Sequence, residues 1–389
     1  MTLPPPIDWP EAGIGPGPDI PSDRRVTRAN WRMWPYSRWA FQHARELVPS
    51  RALPRAPAAR TLPERPLDLS GLRFGDGEGG ETDWAEFLRR SYTDALIVLH
   101  RGAIVHEYYA NGMTAASPHM LFSITKSIIG LVAERLIATG RIDPDAPVGT
   151  VVPELAGGAF GPARLRHLLD MTDGAAFDEN YADADAEVHR YSAAYWTPEA
   201  GLDGVLGQLP SIVRRAAEPG ALFAYRTPVA DVLGLALRRA TGRPLAELVA
   251  EEIWTPAGCG DEAYMLLDTA GMEIAATGLN ATVRDMARLA LWLIETGEPL
   301  AGLIAGGDRA LFAAAGQATR PNGSYRSFWW IDHGRPPAIT ANGVFGQRLW
   351  IDPAAGLAVA RVGTHPVASN GFTDMLHREA FAAVRAALD

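Results

Sequence analysis

Ser123 and Lys126 stand three residues apart in 121-LFSITKSIIGLVAERLIATG-140, and Lys126 is the single lysine among 36 lysine and arginine residues in a chain of 389. Residues three apart on a helix share a face. A serine that opens a helix also lies beside free backbone N–H groups and the positive end of the helix dipole, where a developing anion is favoured. Its hydroxyl is a weak nucleophile until a base removes the proton. A lysine amine serves as that base only when neutral, so its pKa must fall by about 3 units from its ordinary value near 10.4. Burial or a neighbouring cation lowers it. An arginine guanidinium stays charged throughout. Every other basic position holds arginine, so the lone lysine marks a place where losing a proton has a use. The competing reading is a lysine that snorkels from its helix in a chain of arginine-biased composition. The S-x-x-K pattern alone does not separate the two; the lysine count and the strongly apolar helix favour proton abstraction.

The elements that must hold this pair are legible in outline. Apolar residues at 124, 128, 131, 132 and 136 predict a helix over Ser123–Thr139, closed by Gly140. Ahead of it, Ala95–His100 and Ala103–Tyr109 flank Arg101-Gly102 and predict a hairpin. The segments Leu165–Met171, Val229–Thr241, Leu245–Trp254 and Val283–Glu295 have helical spacing. Strand character returns at Ser327–Asp332, Ile339–Ile351 and Leu357–Gly363, and a helix over Phe372–Ala387 closes the chain. Residues 1–70 are rich in proline and arginine and predict an arm packed on the core, with a short helix near Trp39–Leu47. Strands at both ends with helices between them predict an α/β fold of the α+β type. Its single antiparallel sheet is drawn from residues 71–120 and 271–389. A mainly helical region, 121–270, is inserted, with the active site between the two.

The composition excludes several function classes. With 47% hydrophobic and 21% charged residues the chain reads as a globular protein, long enough to need no disulfide or metal staple. A net charge of −9 with scattered arginines argues against nucleic acid and anionic membrane as partners. One cysteine, Cys259, rules out an intrachain disulfide and a cysteine-cluster zinc site. The histidines lack metal-ligand spacing, so neither metal nor cofactor is expected. The N-terminus lacks an apolar signal core and no apolar run approaches 18 residues, so the expected compartment is the cytoplasm. The stretch 75-GDGEGG-80 satisfies G-x-G-x-x-G, but its acids would repel a pyrophosphate and no strand–helix unit frames it. No G-x-S-x-G elbow occurs.

The motifs together resemble the penicillin-binding protein and serine β-lactamase superfamily over about residues 90–389. S-x-x-K is its nucleophile motif, and 165-LRHLLDMTDG-174, 253-IWTPAGC-259 and 283-VRDMARL-289 follow in the family's serial order. The segments 38-RWAFQHAREL-47, 177-FDENY-181 and 343-GVFGQRLWIDP-353 are most similar to 6-aminohexanoate-dimer (nylon-oligomer) hydrolases and related carboxylesterases. The resemblance implies the β-lactamase fold, with an antiparallel sheet flanked by helices. It implies an acyl-enzyme on Ser123, with Lys126 as base. Tyr225, in 223-FAYRTPVADVLG-234, takes the place of the family's relay tyrosine, and Thr227 stands where an asparagine is usual. Ala341-Asn342-Gly343 occupies the third motif, which places an oxyanion hole at the N–H groups of Ser123 and Val344.

Substrate contacts implied by the resemblance are Tyr181, Trp196, Thr227, Gly343 and Phe345, with 182–196 as a loop over the cleft. Two departures bear on the substrate. Ala341 replaces the lysine that holds a carboxylate in β-lactamases and peptidases. Ala276 or Thr277 falls where amide-active relatives place an asparagine, which favours esters. The expected activity is hydrolysis of a small ester or linear amide. Alternatives are a 6-aminohexanoate-oligomer amidase, a β-lactamase-like activity and a non-catalytic member that binds acyl groups or peptides. A homodimer is left open.

Overall fold

Two runs, 93-TDALIVLH-100 and 357-LAVARVG-363, are buried at every residue and lie side by side in the main sheet. Strands covered on both faces need near-continuous apolar sequence. The computed structural model describes residues 3–181, 183–198, 201–317 and 320–388. Among these the main sheet has seven strands: β1 Thr93–His100, β2 Ala103–Tyr109, β3 Gly323–Arg326, β4 Trp329–Asp332, β5 Ala338–Gly343, β6 Gln347–Asp352 and β7 Leu357–Gly363. Their order is β2-β1-β7-β6-β5-β4-β3, with every neighbouring pair antiparallel. The first hairpin turns at Arg101 (φ 46°) and Gly102 (φ 81°), the positive-φ pair that a two-residue turn needs to match strand twist.

The pleat divides the strands between two cores. Leu96, Val98, Leu357 and Val359 pack with Leu376, Phe381 and Val384 of the C-terminal helix, Gly371–Leu388. Ala95, Ile97, Leu99, Ala358 and Ala360 face the larger core, which includes the Ile124–Ala138 and Val283–Thr296 helices. The Ile124–Ala138 helix is buried through most of its length, as expected for a helix between layers. Gly140 follows it in the left-handed region (φ 69°).

Four parts of the sequence reading need correction. A second, small sheet joins Ser50–Ala52, Tyr264–Leu266, Leu279–Ala281 and His119–Met120 in that order. These strands of two or three residues are too short to display alternation. The Ile339–Ile351 run is two strands, β5 and β6, separated by a tight turn at Val344–Gly346. Residue 182 lies outside the described residues, and 183–196 is largely helical, with a helix at Glu187–Trp196. The predicted helix near Trp39–Leu47 is two short pieces, Ser37–Ala40 and Ala44–Glu46. The glycine-rich 75–80 stretch links the hairpin strands Arg73–Gly75 and Glu81–Asp83. There Asp76 accepts from the Gly80 and Glu78 N–H groups.

Candidate active site

The small sheet sets Ser123 in place. Met120 pairs with Asn280, and the Leu121 N–H donates to the Leu279 carbonyl at 2.9 Å. Phe122 then takes a left-handed turn (φ 48°), and Ser123 caps the helix that follows. The chain opposite behaves similarly. β5 ends at Gly343, and Phe345 is left-handed (φ 62°) within the turn. Left-handed aromatic residues are uncommon and need a surrounding structure that enforces them. Here the rings of Phe122 and Phe345 lie 5.2 Å apart, and Phe41 from the N-terminal segment meets both at 4.8 and 5.0 Å.

Several bonds fix the Val344–Gly346 turn. Gln347 Nε2 donates to the Val344 carbonyl at 3.1 Å, Asn370 Nδ2 to the Gly343 carbonyl at 2.8 Å, and the buried Arg361 to the Gly346 carbonyl. The Phe345 N–H donates to the Ala368 carbonyl at 3.0 Å. Val344 opens the turn, so its N–H has no carbonyl partner within it. Gly343 is required by packing: a Cβ there would lie 2.4 Å from the Leu121 carbonyl oxygen. The glycine brings β5 against the segment that carries Ser123.

Lys126 is buried, with Nζ 2.9 Å from Ser123 Oγ and 3.0 Å from the Ala276 carbonyl oxygen. Thr227 Oγ1 is at 3.5 Å. Burial pushes the lysine pKa down to about 8, while the negative charges of Glu179 and Asp231 limit the fall. Burial holds the Tyr225 pKa well above the ordinary tyrosine value, against an opposing pull from the neighbouring Ser123 side chain. Its ring lies 5.3 Å from Lys126 Nζ and stacks on Trp330 with centroids 5.8 Å apart. A nucleophile, a largely desolvated amine and a protonated phenol thus meet at one point.

Of the substrate positions, Thr227 lies at this centre, held by Glu179, which accepts from both its N–H and its hydroxyl. Tyr181 is 44% exposed, and its hydroxyl lies 3.5 Å from Glu179. Phe345 sits in the turn beside Val344. Trp196 is buried, packed edge-on against Trp31 at 5.4 Å, with the Arg32 guanidinium 5.6 Å from its ring. Ala341 is fully buried, and no cation takes its place on β5. Ala276 contributes through its backbone, and the Thr277 hydroxyl is buried without a partner among the described residues.

Residues 87–384 match the Beta-lactamase family. The chain belongs to that family. It is 30% identical to a 6-aminohexanoate-dimer hydrolase of Paenarthrobacter ureafaciens, over 87% of this chain and 88% of the relative. Esterase EstB of Burkholderia gladioli is 35% identical over 36% of this chain and 37% of its own length. Among solved structures, a Bacillus anthracis protein assigned as a 6-aminohexanoate-dimer hydrolase superposes with a TM-score of 0.80 at 27% identity, covering 95% of this chain and 98% of that one. This β-lactamase-family chain is a hydrolase with the β-lactamase fold. No helix among the described residues is long and apolar enough to cross a membrane.

Two acids at this family site escaped the sequence reading. Asp231 lies four residues after Thr227 on the Thr227–Thr241 helix and is buried. It accepts from the Tyr191 hydroxyl at 2.9 Å, from the Tyr195 hydroxyl and from the Ala276 N–H at 3.1 Å. Burial raises its pKa to about 6 despite those bonds and Lys126. A lone carboxylate in the apolar run 228-PVADVLGLAL-237 was the available signal. Glu179, whose pKa burial also raises against the pull of Lys126, stands inside the quoted 177-FDENY-181 and was passed over for its neighbour Tyr181.

Proposed function

We propose that the protein hydrolyses small carboxylic esters or linear amides through an acyl-enzyme on Ser123. The observation that carries this reading is the 2.9 Å contact between Ser123 Oγ and a buried lysine whose pKa lies near 8. At neutral pH about a tenth of such an amine is unprotonated. In that fraction the Ser123 hydroxyl donates to Nζ and passes its proton as Oγ attacks the carbonyl carbon. The tetrahedral oxyanion is received by the Ser123 and Val344 N–H groups, at about 3 kcal/mol per donor. The Tyr225 hydroxyl gives its proton to the leaving oxygen or nitrogen and is reprotonated from Lys126. Water then attacks the acyl-enzyme by the same steps in reverse order. Tyr181, Trp196, Thr227, Gly343 and Phe345 are the proposed lining of the acyl and leaving-group paths.

Ester cleavage is the preferred activity, because Ala276 presents a buried methyl where an amide-polarising side chain would be expected. The similarity to a protein named for the 6-aminohexanoate dimer supports the linear amide as the second reading. Incubation with a fluorophosphonate followed by mass spectrometry tests the mechanism: an adduct on Ser123 is expected. A protein with no adduct and no turnover of p-nitrophenyl butyrate would instead be a binding member of the family. Rates on p-nitrophenyl butyrate, the linear 6-aminohexanoate dimer and nitrocefin then rank the substrate classes.

A further inference from the structure

The four carbonyls of residues 343–346 all accept hydrogen bonds, three of them from side chains. Asn370 Nδ2 donates to Gly343 at 2.8 Å, Gln347 Nε2 to Val344 at 3.1 Å and the Arg361 guanidinium to Gly346, while the His365 N–H donates to Phe345 at 3.0 Å. The first of these differs from the rest by what lies at the other end of its peptide. A trans peptide is planar, with its C=O and N–H pointing in opposite directions. The Gly343 carbonyl and the Val344 N–H belong to one such unit. Asn370 therefore holds the back of the peptide whose front is the proposed oxyanion donor.

The second proposed donor has the same arrangement. The Ser123 N–H shares its peptide with the Phe122 carbonyl, which accepts from the Thr125 N–H at 2.9 Å. Hydrogen bonds in series polarise one another, strengthening each by about 10–30%. A donor on the carbonyl makes the N–H of the same peptide a better donor and fixes its direction. At Ser123 the first turn of the helix supplies that bond. At Val344 a side chain supplies it, from 27 residues beyond Gly343.

Asn370 is diverted to this bond from a local use. It immediately precedes the Gly371–Leu388 helix, in the capping position. Asparagine is favoured there because its side-chain oxygen accepts from a free N–H of the first turn. Here the Thr373 N–H goes to the Asn370 main-chain carbonyl at 3.0 Å, and Oδ1 is buried without a partner among the described residues. Turning the amide over would set Oδ1 against the Gly343 oxygen, two acceptors face to face. The side chain gives up a capping bond and leaves an acceptor unpaired, and keeps its N–H on Gly343.

We propose that Asn370 is a positioning residue of the oxyanion hole, which orients and polarises the Val344 N–H through the Gly343 carbonyl. This rests on the hydrolase reading above and adds to it a residue from the start of the C-terminal helix.

N370S and N370D test the role. Serine and aspartate cap helices about as well as asparagine. Neither places a donor on Gly343: serine ends one bond short of the amide nitrogen, and an ionised aspartate has only acceptors. Serine adds no charge, so a loss shared by both variants is not an effect of charge. Both are expected to unfold at the wild-type urea midpoint. With p-nitrophenyl butyrate, kcat should fall by about two- to eightfold while KM stays the same. Butylboronic acid forms a tetrahedral adduct on an active-site serine, with one oxygen where the oxyanion would lie. Its inhibition constant should rise by the same factor as kcat falls.

Wild-type kcat and wild-type boronate inhibition in both variants overturn the proposal. So does a fall in kcat that comes with a lower urea midpoint and an unchanged boronate constant, since Asn370 would then serve the packing of the turn alone. Fluorophosphonate labelling tells this failure from that of the wider reading. A wild type that takes no label on Ser123 and turns over no ester sinks the hydrolase and its oxyanion hole together. A labelled, active wild type with unaffected variants sinks only the role of Asn370.

Discussion

Lys126 and Asp231 hold opposite sides of one residue. The Ala276 carbonyl accepts from Lys126 Nζ at 3.0 Å, and the Ala276 N–H donates to Asp231 Oδ1 at 3.1 Å. The carboxylate therefore positions the backbone that positions the amine, and its charge also pulls the lysine pKa up. Burial works the other way and wins, leaving the amine near 8. Asp231→Asn should keep a polar group of the same shape while removing the charge. The expected result is a pH profile of kcat/KM whose rising limb has moved to lower pH, with a smaller maximum from looser positioning. A limb that stays in place or moves upward would show that Asp231 does not act on Lys126.

The wild-type profile follows from the same residue. In the proposed mechanism the reactive form is the free amine, so kcat/KM should rise with pH and level off above a midpoint near 8. Lys126→Arg retains a cation of similar reach that cannot lose its proton. Its rate should fall by about a thousandfold or more at every pH, the scale on which general-base and nucleophile activation are lost together. Steady-state assays with p-nitrophenyl butyrate from pH 6 to 10 read both. A rate for Lys126→Arg equal to wild type would remove the proposed base.

The buried amine also has a cost in stability. Its pKa is about 8 in the folded chain against about 10.4 unfolded. Below pH 8 both states carry the proton and the whole penalty is present, about 3 kcal/mol. Between 8 and 10.4 the unfolded chain binds more protons, so stability rises with pH through this window. Lys126→Met should then be more stable than wild type at pH 7, by about 1–2 kcal/mol once the lost hydrogen bonds are counted. The gap should narrow by pH 9.5. Urea unfolding at the two pH values measures it, and a gap that does not depend on pH would argue that the native lysine is not desolvated.

Most of this site was readable because its chemistry depends on side chains with few substitutes. The single lysine, the serine three residues before it and a tyrosine in the matching motif each stand out by type, and the structure gathers them around Ser123. The long strands and helices were readable from periodicity. The small sheet that fixes Met120 and Leu279 was not, since two- and three-residue strands carry no period. Asp231 and Glu179 were hidden for a different reason. Their effect on Lys126 arises from burial and from contacts about 50 to 100 residues away in sequence, which local spacing does not encode. The resemblance gives Gly343 as a substrate contact, but what a side chain there would meet is the Leu121 carbonyl of the same chain.

That contact makes Gly343 a test of how tightly the two halves of the proposed oxyanion hole are coupled. An alanine methyl at position 343 would meet the Leu121 carbonyl at 2.4 Å, and Gln347 at 2.9 Å. Leu121 lies two residues before Ser123 and is held by the Leu279 carbonyl, so it cannot retreat without moving the nucleophile. Overpacking of this kind typically costs about 1–3 kcal/mol. Gly343→Ala should therefore lower the unfolding free energy by that amount. It should also reduce kcat more than it raises KM, because the strain separates the Val344 and Ser123 N–H groups proposed to receive the oxyanion. A variant that loses stability but keeps wild-type kcat would place the glycine in the packing alone and remove Val344 from the proposed pair of donors.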